Sequence, residues 1–337
     1  MKSNPIISII MPVQNTEAYL KVCLDSIIDQ SYQAWELIAV NDHSTDLSKK
    51  ILQSYAKQDD RIKTIDNPSS GIIAALVHGH KACSGRFICR MDSDDIMAPT
   101  KLNELLGPLL EHGAGHVASC GTVYFSEAFQ LGNGYKRYAD WINGIVESGD
   151  YWSDVYKECV IPSCCWMVHR SDFESIGGFN SNQYPEDYDL CFRFYQAKFQ
   201  IIGVNRPLHR WRDRADRISR ISDIYKDNRF FDLKVDYFLA IDHQESRPLV
   251  LWGAGKNGKD LAKRLIHRGI DFHWVCETSS KIGKDIYGIR MKGIDSFPQF
   301  KNPQIIVAVS SPKDQQLVRS KLRALSETCA LDFWFFL

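Results

Sequence analysis

The chain runs to 337 residues, 44% of them apolar and 24% charged, the balance of a folded globular protein long enough for two cores. Lysine plus arginine equals aspartate plus glutamate at 41 each, so there is no global basic field to hold nucleic acid. The ten cysteines are scattered and form no C-x-x-C pair, which argues against a zinc site or a disulfide framework and for reduced, buried thiols.

No charged-then-apolar leader precedes the apolar run that starts at Ile6, and no run reaches the ~20 residues that span a bilayer. A cytoplasmic location is the expectation, with peripheral contact at the inner membrane face left open. Ile6 to Val13 reads as a buried parallel strand. The polar turn Gln14-Asn15-Thr16 can cap the helix marked by Tyr19, Leu20, Cys23, Leu24, Ile27 and Ile28. Trp35 to Val40 is a second strand, which stops at Asn41-Asp42-His43-Ser44-Thr45-Asp46. Thr45 or Asp46 can cap a helix over 47–57. Ile62 to Ile65 is a third strand, Asn67 to Gly71 has loop chemistry, and Ile72 to Cys83 is helical.

The next strand, Phe87-Ile88-Cys89-Arg90-Met91, ends in Asp92-Ser93-Asp94-Asp95, three carboxylates within four residues. Acids crowded at the end of a buried strand repel one another and lose solvation, which is costly unless a cation sits among them. Hard oxygen ligands suit magnesium or manganese. The same acids would also serve as a solvated turn, with Asp95 favouring the N-terminus of the helix opened by Pro99 and carried by Leu102, Leu105, Leu106 and Leu109. Strands alternating with helices predict a mostly parallel, doubly wound α/β sheet, whose ligands bind beyond the carboxyl ends of the strands. The polar clusters at 12–15, 41–46 and 92–95 should therefore converge on one crevice.

SIIMPVQNTEAYLKVCLDSIIDQSYQAWELIAVNDHSTD, followed by SGRFICRMDSDDIMAPTKL, resembles the family-2 glycosyltransferases. The resemblance implies a GT-A nucleotide-sugar-binding fold, inverting transfer and a divalent cation, Mn2+ or Mg2+. Carried over to this chain, it implies that Pro12, Asn15, Glu17 and Asp42 hold the nucleoside, with Gly71 among the donor-binding positions. Asp92-Ser93-Asp94 matches the D-x-D motif, which implies Asp92 near the ribose and Asp94 on the metal at the diphosphate. The chain departs from the pattern at Asn41, where a second aspartate is usual, and at His43, where glycine is common. A third departure is Val77-His78, where asparagine is frequent.

Gly115 to Phe125 contains a further strand. Residues 126–160 have no clear period; their aromatics, Trp141 and Trp152 among them, suit a core better than a sugar face. Ile161 to Val168 reads as a buried strand on which Cys164 and Cys165 point to opposite faces, a packing pattern rather than a redox pair. After the Gly177-Gly178 turn, Pro185 suits a helix start, and Glu186 and Asp187 fit its first turn as simple capping. The resemblance continues here through GGF, the E-D pair and L-C-x-R. It implies that Asp187 is the catalytic base and that Glu186 lies on the acceptor side. Phe199 to Val204 is a strand, followed by the arginine-rich stretch 208–220, where Arg212 and Arg214 are candidates for the diphosphate. An amphipathic helix over 221–241 closes the first unit.

A polar linker then divides residues 1–243 from residues 247–337. The strand at Leu249 leads into Gly253, Gly255 and Gly258, spaced G-x-G-x-x-G, and a helix follows. This resembles a Rossmann first turn. Glu277 lies about twenty residues on, where an acid can hold a ribose, so a second nucleotide is one reading and tight strand-to-helix packing the other. The unit is half of a full dinucleotide fold, and its tail, Phe333-Trp334-Phe335-Phe336, suits packing. The whole reads as a GT-A domain followed by a small Rossmann-like α/β domain. Its expected partners are a nucleotide-diphosphate sugar and a glycan or lipid-linked acceptor, in surface glycan or lipid-linked oligosaccharide assembly, with self-association left open. The alternatives are a nicotinamide-dependent oxidoreductase built on the glycine-rich loop, and a non-catalytic nucleotide-sugar sensor.

Overall fold

The first unit begins with the alternation that the apolar runs predict. β1 (Ile7–Val13), α1 (Glu17–Ile28), β2 (Trp35–Asn41), α2 (Ser48–Gln58), β3 (Ile62–Asp66), α3 (Ile72–Lys81) and β4 (Phe87–Arg90) follow in turn. Helices cover both faces of the central strands, so β1 and β2 lack polar alternation. Leu20, Leu24 and Leu52 pack on one face, and Ala75 packs against Ile38 and Val40 on the other. β5 (Ile96–Met97), α4 (Lys101–His112), β6 (His116–Phe125), α5 (Asn133–Ser148), β7 (Trp166–His169), α6 (Arg170–Ser175), α7 (Glu186–Gln196) and β8 (Gln200–Arg212) complete the unit. The eight strands form one sheet in the order β3-β2-β1-β4-β7-β6-β8-β5. The block from β3 to β4 is parallel, and β7 runs antiparallel to both its neighbours.

The computed structural model describes residues 6–179, 184–214, 230–326 and 331–337. By packing, residues 1–152 and 159–217 form one compact unit, and residues 153–158 and 218–337 the other. Three local expectations change. Residues 161–165 are a turn, not a strand, because Pro162 offers its carbonyl to Cys165 N at 2.9 Å; both cysteines are buried thiols before β7. β8 does not stop at Val204 but continues to Arg212, so the first arginines lie on a strand paired with β6 across a register shift. Residues 133–148, which showed no clear period, are the helix α5.

Glu36 shows what holds the parallel block together. It is buried on β2, and its carboxylate accepts from Ser8 Oγ at 2.6 Å, Ser84 N at 2.6 Å and Lys63 Nζ at 2.7 Å. Burial alone would raise its pKa, but Lys63, Ser8 and Ser84 outweigh burial and hold it at about 2, against an ordinary 4.5. A depressed carboxylate contributes stability that is present above the ordinary pKa and lost as pH falls through the folded one. Glu36→Gln is expected to cost ~3 kcal/mol at pH 7. In denaturant titrations its gap to wild type should close between pH 4.5 and 2; a gap that ignores pH would contradict this account.

The second unit holds α8 (Phe231–Ile241), β9 (Leu249–Trp252), α9 (Lys256–His267), β10 (His273–Val275), the hairpin β11 (Asp285–Ile286) and β12 (Ile289–Arg290), β13 (Gln304–Val307), α10 (Pro312–Ser326) and β14 (Asp332–Phe335). Its four-stranded sheet is parallel throughout, in the order β10-β9-β13-β14. Asp232 and Asp236 of α8 pair with Arg264 and Arg268 of α9. The helix expected over 221–241 to close the first unit packs here in its described part, Phe231–Ile241, and residues 221–229 lie outside the described residues. The aromatic tail packs inside this unit: Phe336 stacks on Tyr156 at 5.1 Å, and Trp334 meets Phe238 edge-on at 5.1 Å. Buried Lys234 donates to the carbonyls of Lys157 at 2.8 Å and Phe336 at 3.2 Å, and burial pushes its pKa down to about 8. Among the described residues no helix is long and apolar enough to cross a membrane.

Candidate active site

The turns after β1, β2 and β4 come together at one edge of the sheet. Val13 pairs with Asn41 in register, and Met91 N donates to Ile10 O at 3.0 Å. Side chains then join the three turns. Gln14 Nε2 donates to Asp42 O at 3.1 Å, and Thr45 N to Asn15 Oδ1 at 2.8 Å. Thr16 gives no side-chain cap to α1; its hydroxyl donates instead to Ser93 Oγ at 3.0 Å. Glu17 and Asp46 are exchanged between helix starts: Asp46 accepts from Glu17 N at 2.9 Å, and Glu17 accepts from Leu47 N at 2.6 Å. The convergence of polar turns expected from topology is therefore present.

On the β2 side, the buried Asp42 carboxylate accepts from Asn67 Nδ2 at 2.8 Å and Gly71 N at 3.0 Å. Gly71 has φ 96°, a conformation that side chains resist. His43 has φ 54°, which explains why glycine would be at ease there. Pro12 is half-buried at the end of β1, while Asn15 and Glu17 are exposed. Beside Gly71 opens a cavity of about 480 Å³ lined by Ile72, Ile73, Ala74, Val77 and Tyr184.

The three acids after β4 divide by environment. Asp92 and Asp94 are half-buried, whereas Asp95 is 1% exposed. Asp92 accepts from Arg90 Nε at 2.8 Å; burial opposes its charge, but the guanidinium wins and keeps it below the usual carboxylate range. Asp94 accepts from Arg214 Nε at 2.9 Å. Asp95 does not serve the start of α4, as the acidic-turn reading had it. It accepts from Arg212 N at 2.7 Å and lies 3.0 Å from His209 Nε2, so it pins β8 to the acid turn. Ligand atoms of Asp95, Cys164 and His209 lie within 4.8 Å of one another. However, Lys101 Nζ sits 3.0 Å from His209 Nδ1 and donates to Cys164 O at 2.6 Å. A buried ammonium against the histidine marks a salt-bridged core network, not a cation site.

Arg212 is 3% exposed and pairs with Glu127 at 2.8 Å, and its Nε donates to Asp94 O at 2.7 Å. It supports the backbone of the acid turn, while Arg214 is the arginine on the Asp94 carboxylate. Arg217 and Arg220 lie outside the described residues.

α7 brings the E-D pair. Glu186 is buried, and its Oε1 accepts from Arg90 Nη1 at 2.8 Å. Among the described residues its Oε2 has no hydrogen-bond partner. Asp187 is half-buried and accepts from Tyr188 N at 2.8 Å. Asp189 pairs with Arg193 at 2.9 Å, and Arg193 Nη1 reaches Ile176 O at 2.8 Å and Gly178 O at 2.7 Å. The GGF turn and the L-C-x-R arginine thus brace the start of α7. Sequence reasoning missed Arg90, the residue that joins the acid turn to α7. Its signal was a lone charge in a strand whose neighbours are all buried.

In the second unit the glycine-rich turn has two structural glycines. Gly253 has φ 127°, and its carbonyl accepts from Trp274 Nε1 at 2.8 Å. A Cβ on Gly258 would meet that carbonyl oxygen at 2.0 Å, whereas one on Gly255 would meet nothing within 4 Å. Glu277 pairs with Lys321. Gly258→Ala is expected to cost ~1–3 kcal/mol through this overlap, and Gly255→Ala less than about 1. Thermal melts of both proteins check the order; equal losses would contradict it.

The family model described as glycosyl transferase family 2 matches residues 8–177, which spans β1 to α6 and stops short of α7. The "Putative glycosyltransferase EpsE" of Bacillus subtilis is 31% identical over 232 residues, 67% of this chain and 79% of that protein. Among solved structures, S. aureus TarS 1-349 in complex with UDP-GlcNAc is similar with a TM-score of 0.52 at 16% identity, covering 87% of this chain and 78% of that one. The mannosyltransferase PcManGT from Pyrobaculum calidifontis, in complex with GDP-Man and Mn2+, gives 0.53 at 17% identity, covering 78% and 70%. At these identities the two structures speak for the fold alone.

Proposed function

The chain belongs to glycosyl transferase family 2 and has the GT-A fold, and from that premise we propose that it transfers a sugar from a nucleotide-diphosphate sugar to an acceptor hydroxyl with inversion. The observation that carries this reading is the link that Arg90 makes between Asp92 of the half-buried acid turn and Glu186 of the E-D pair of α7, at the carboxyl ends of β1, β2 and β4. The nucleotide sugars in the TarS and PcManGT structures support the donor class.

Pro12, Asn15, Glu17, Asp42 and Gly71 take the nucleoside side, with Asp92 and Ser93 next to them. Asp187 accepts the proton of the acceptor hydroxyl as its oxygen attacks the anomeric carbon. The bond to the diphosphate breaks on the opposite face, so the configuration inverts. Asp92 and Asp94 offer hard oxygen donors in the half-buried acid turn, a set that fits Mn2+ or Mg2+, with Asp94 as the ligand. The Mn2+ in the PcManGT structure supports a divalent cation. When bound, such a cation neutralises charge on the departing diphosphate. Arg214, already on Asp94, meets phosphate oxygens, and Arg212 keeps the acid turn in shape.

The acceptor we propose is a glycan or a lipid-linked precursor, at the cytoplasmic side of surface glycan assembly. The first unit carries the transfer, and the second serves architecture or assembly. The family match does not favour the oxidoreductase reading, and the acids retained at Asp92, Asp94 and Asp187 speak against a non-catalytic sensor. Incubation with a panel of nucleotide sugars and Mn2+ should release nucleoside diphosphate from one of them, and chelator should stop it. NMR of the product anomer should show inversion. No release from any donor would overturn the proposal.

A further inference from the structure

Arg90 closes β4 and is 4% exposed. A guanidinium taken out of water costs several kcal/mol unless charged partners surround it. Here two do. Nε donates to Asp92 at 2.8 Å, and Nη1 donates to Glu186 at 2.8 Å, across 96 residues of sequence. Replacing such a group with an apolar side chain would suit strand packing better. The cation is instead kept where the acid turn and the start of α7 meet.

We propose that Arg90 is a positioning residue for transfer: its fork fixes Asp92 and Glu186 in one geometry and turns Glu186 so that Oε2 accepts a substrate hydroxyl. The inference rests on the transfer reading above and deepens it. A planar guanidinium presents several N–H donors in fixed relative directions, so one side chain can set the angle between two carboxylates. A lysine ammonium is a point charge on a flexible stem and sets no such angle. With Oε1 held by Arg90, the buried Oε2 still needs a donor, because an unmatched buried oxygen carries its full desolvation cost. A sugar hydroxyl supplies one. Arg90 touches neither donor nor acceptor in this scheme; it acts through the two carboxylates.

The test uses the full chain carrying Arg90→Lys, Arg90→Met, Glu186→Gln, or Arg90→Met with Glu186→Gln. Thermal melts, nucleoside diphosphate affinity with Mn2+, and kcat and KM for the nucleotide sugar that wild type hydrolyses are measured for each. Arg90→Lys is expected to fold and to bind nucleoside diphosphate within about threefold of wild type, while kcat falls about 30-fold or more, the scale of lost alignment. Arg90→Met with Glu186→Gln should have a kcat within about threefold of the worse single variant, because both changes disable one unit. Wild-type kcat in Arg90→Lys, or losses that multiply in the double variant, would overturn the inference and leave the transfer reading intact. If Arg90→Met does not fold, the same cycle run with Arg90→Lys decides. A wild type inert with every donor would overturn the transfer reading, and this inference with it.

Discussion

Turnover by the Asp187→Asn protein is expected to fall about a hundredfold or more, while its affinity for nucleoside diphosphate stays within a few-fold of wild type. The two residues have the same shape, and asparagine Oδ1 can still accept the Tyr188 N–H that Asp187 accepts at 2.8 Å. The start of α7 should therefore survive, braced as it is by Arg193 on the Ile176 and Gly178 carbonyls. What asparagine cannot do is take a proton. The loss should appear in kcat at saturating donor and acceptor. Thermal melts should show Tm within a few degrees of wild type, since the site is half-buried and the hydrogen bond from Tyr188 N is retained. The opposite pattern, with donor affinity lost and saturated turnover kept, would make Asp187 a binding residue and leave the base unassigned.

Local pattern made part of this site legible. Continuous apolar runs give β1, β2 and β4, and their alternation with helices puts three polar turns at one sheet edge. Thr16 to Ser93 and Asn15 to Thr45 are the contacts that follow. Pairings between distant segments were not legible, because no period encodes them. Asp95 meets His209 across 114 residues and Arg212 N across 117, and these contacts with its burial separate it from Asp92 and Asp94. Arg90 meets Glu186 across 96. Arg212 is similar to Arg214 in sequence, yet one is buried on Glu127 and the Asp94 carbonyl while the other takes the Asp94 carboxylate. α5 escaped notice because its apolar positions are diluted by tyrosine, tryptophan and glycine, and Tyr135, Tyr138 and Trp141 sit half-buried rather than in a clean stripe. In the second unit the spacing of Gly253 and Gly258 was readable, but whether it served a ligand or a close approach of backbone was not. The 2.0 Å overlap at Gly258 gives that glycine a steric reason of its own.

Asp94→Asn should reduce transfer to below about 1% of wild type, in line with the several kcal/mol that charge neutralisation at a leaving diphosphate supplies. It should also remove the gain in nucleoside diphosphate affinity that Mn2+ gives. The expectation follows from the division of the acids. Asp95 is internally engaged with Arg212 N and His209, so its loss should lower Tm first. Asp94 is half-buried, and its carboxylate accepts from Arg214, whose side chain is partly exposed. Asparagine keeps the size of the side chain and the Asp94 carbonyl that Arg212 holds, so the turn should stay folded. Two causes of lost activity are then left, the missing cation ligand and the missing partner of Arg214. Arg214→Gln separates them, because it removes the ion pair and leaves the carboxylate. If the cation ligand is what counts, calorimetry should show Mn2+ still tightening nucleoside diphosphate binding to Arg214→Gln and no longer doing so in Asp94→Asn. Full activity of Asp94→Asn, or of wild type in chelator, would take the metal out of the mechanism and leave Arg214 as the group that meets the diphosphate.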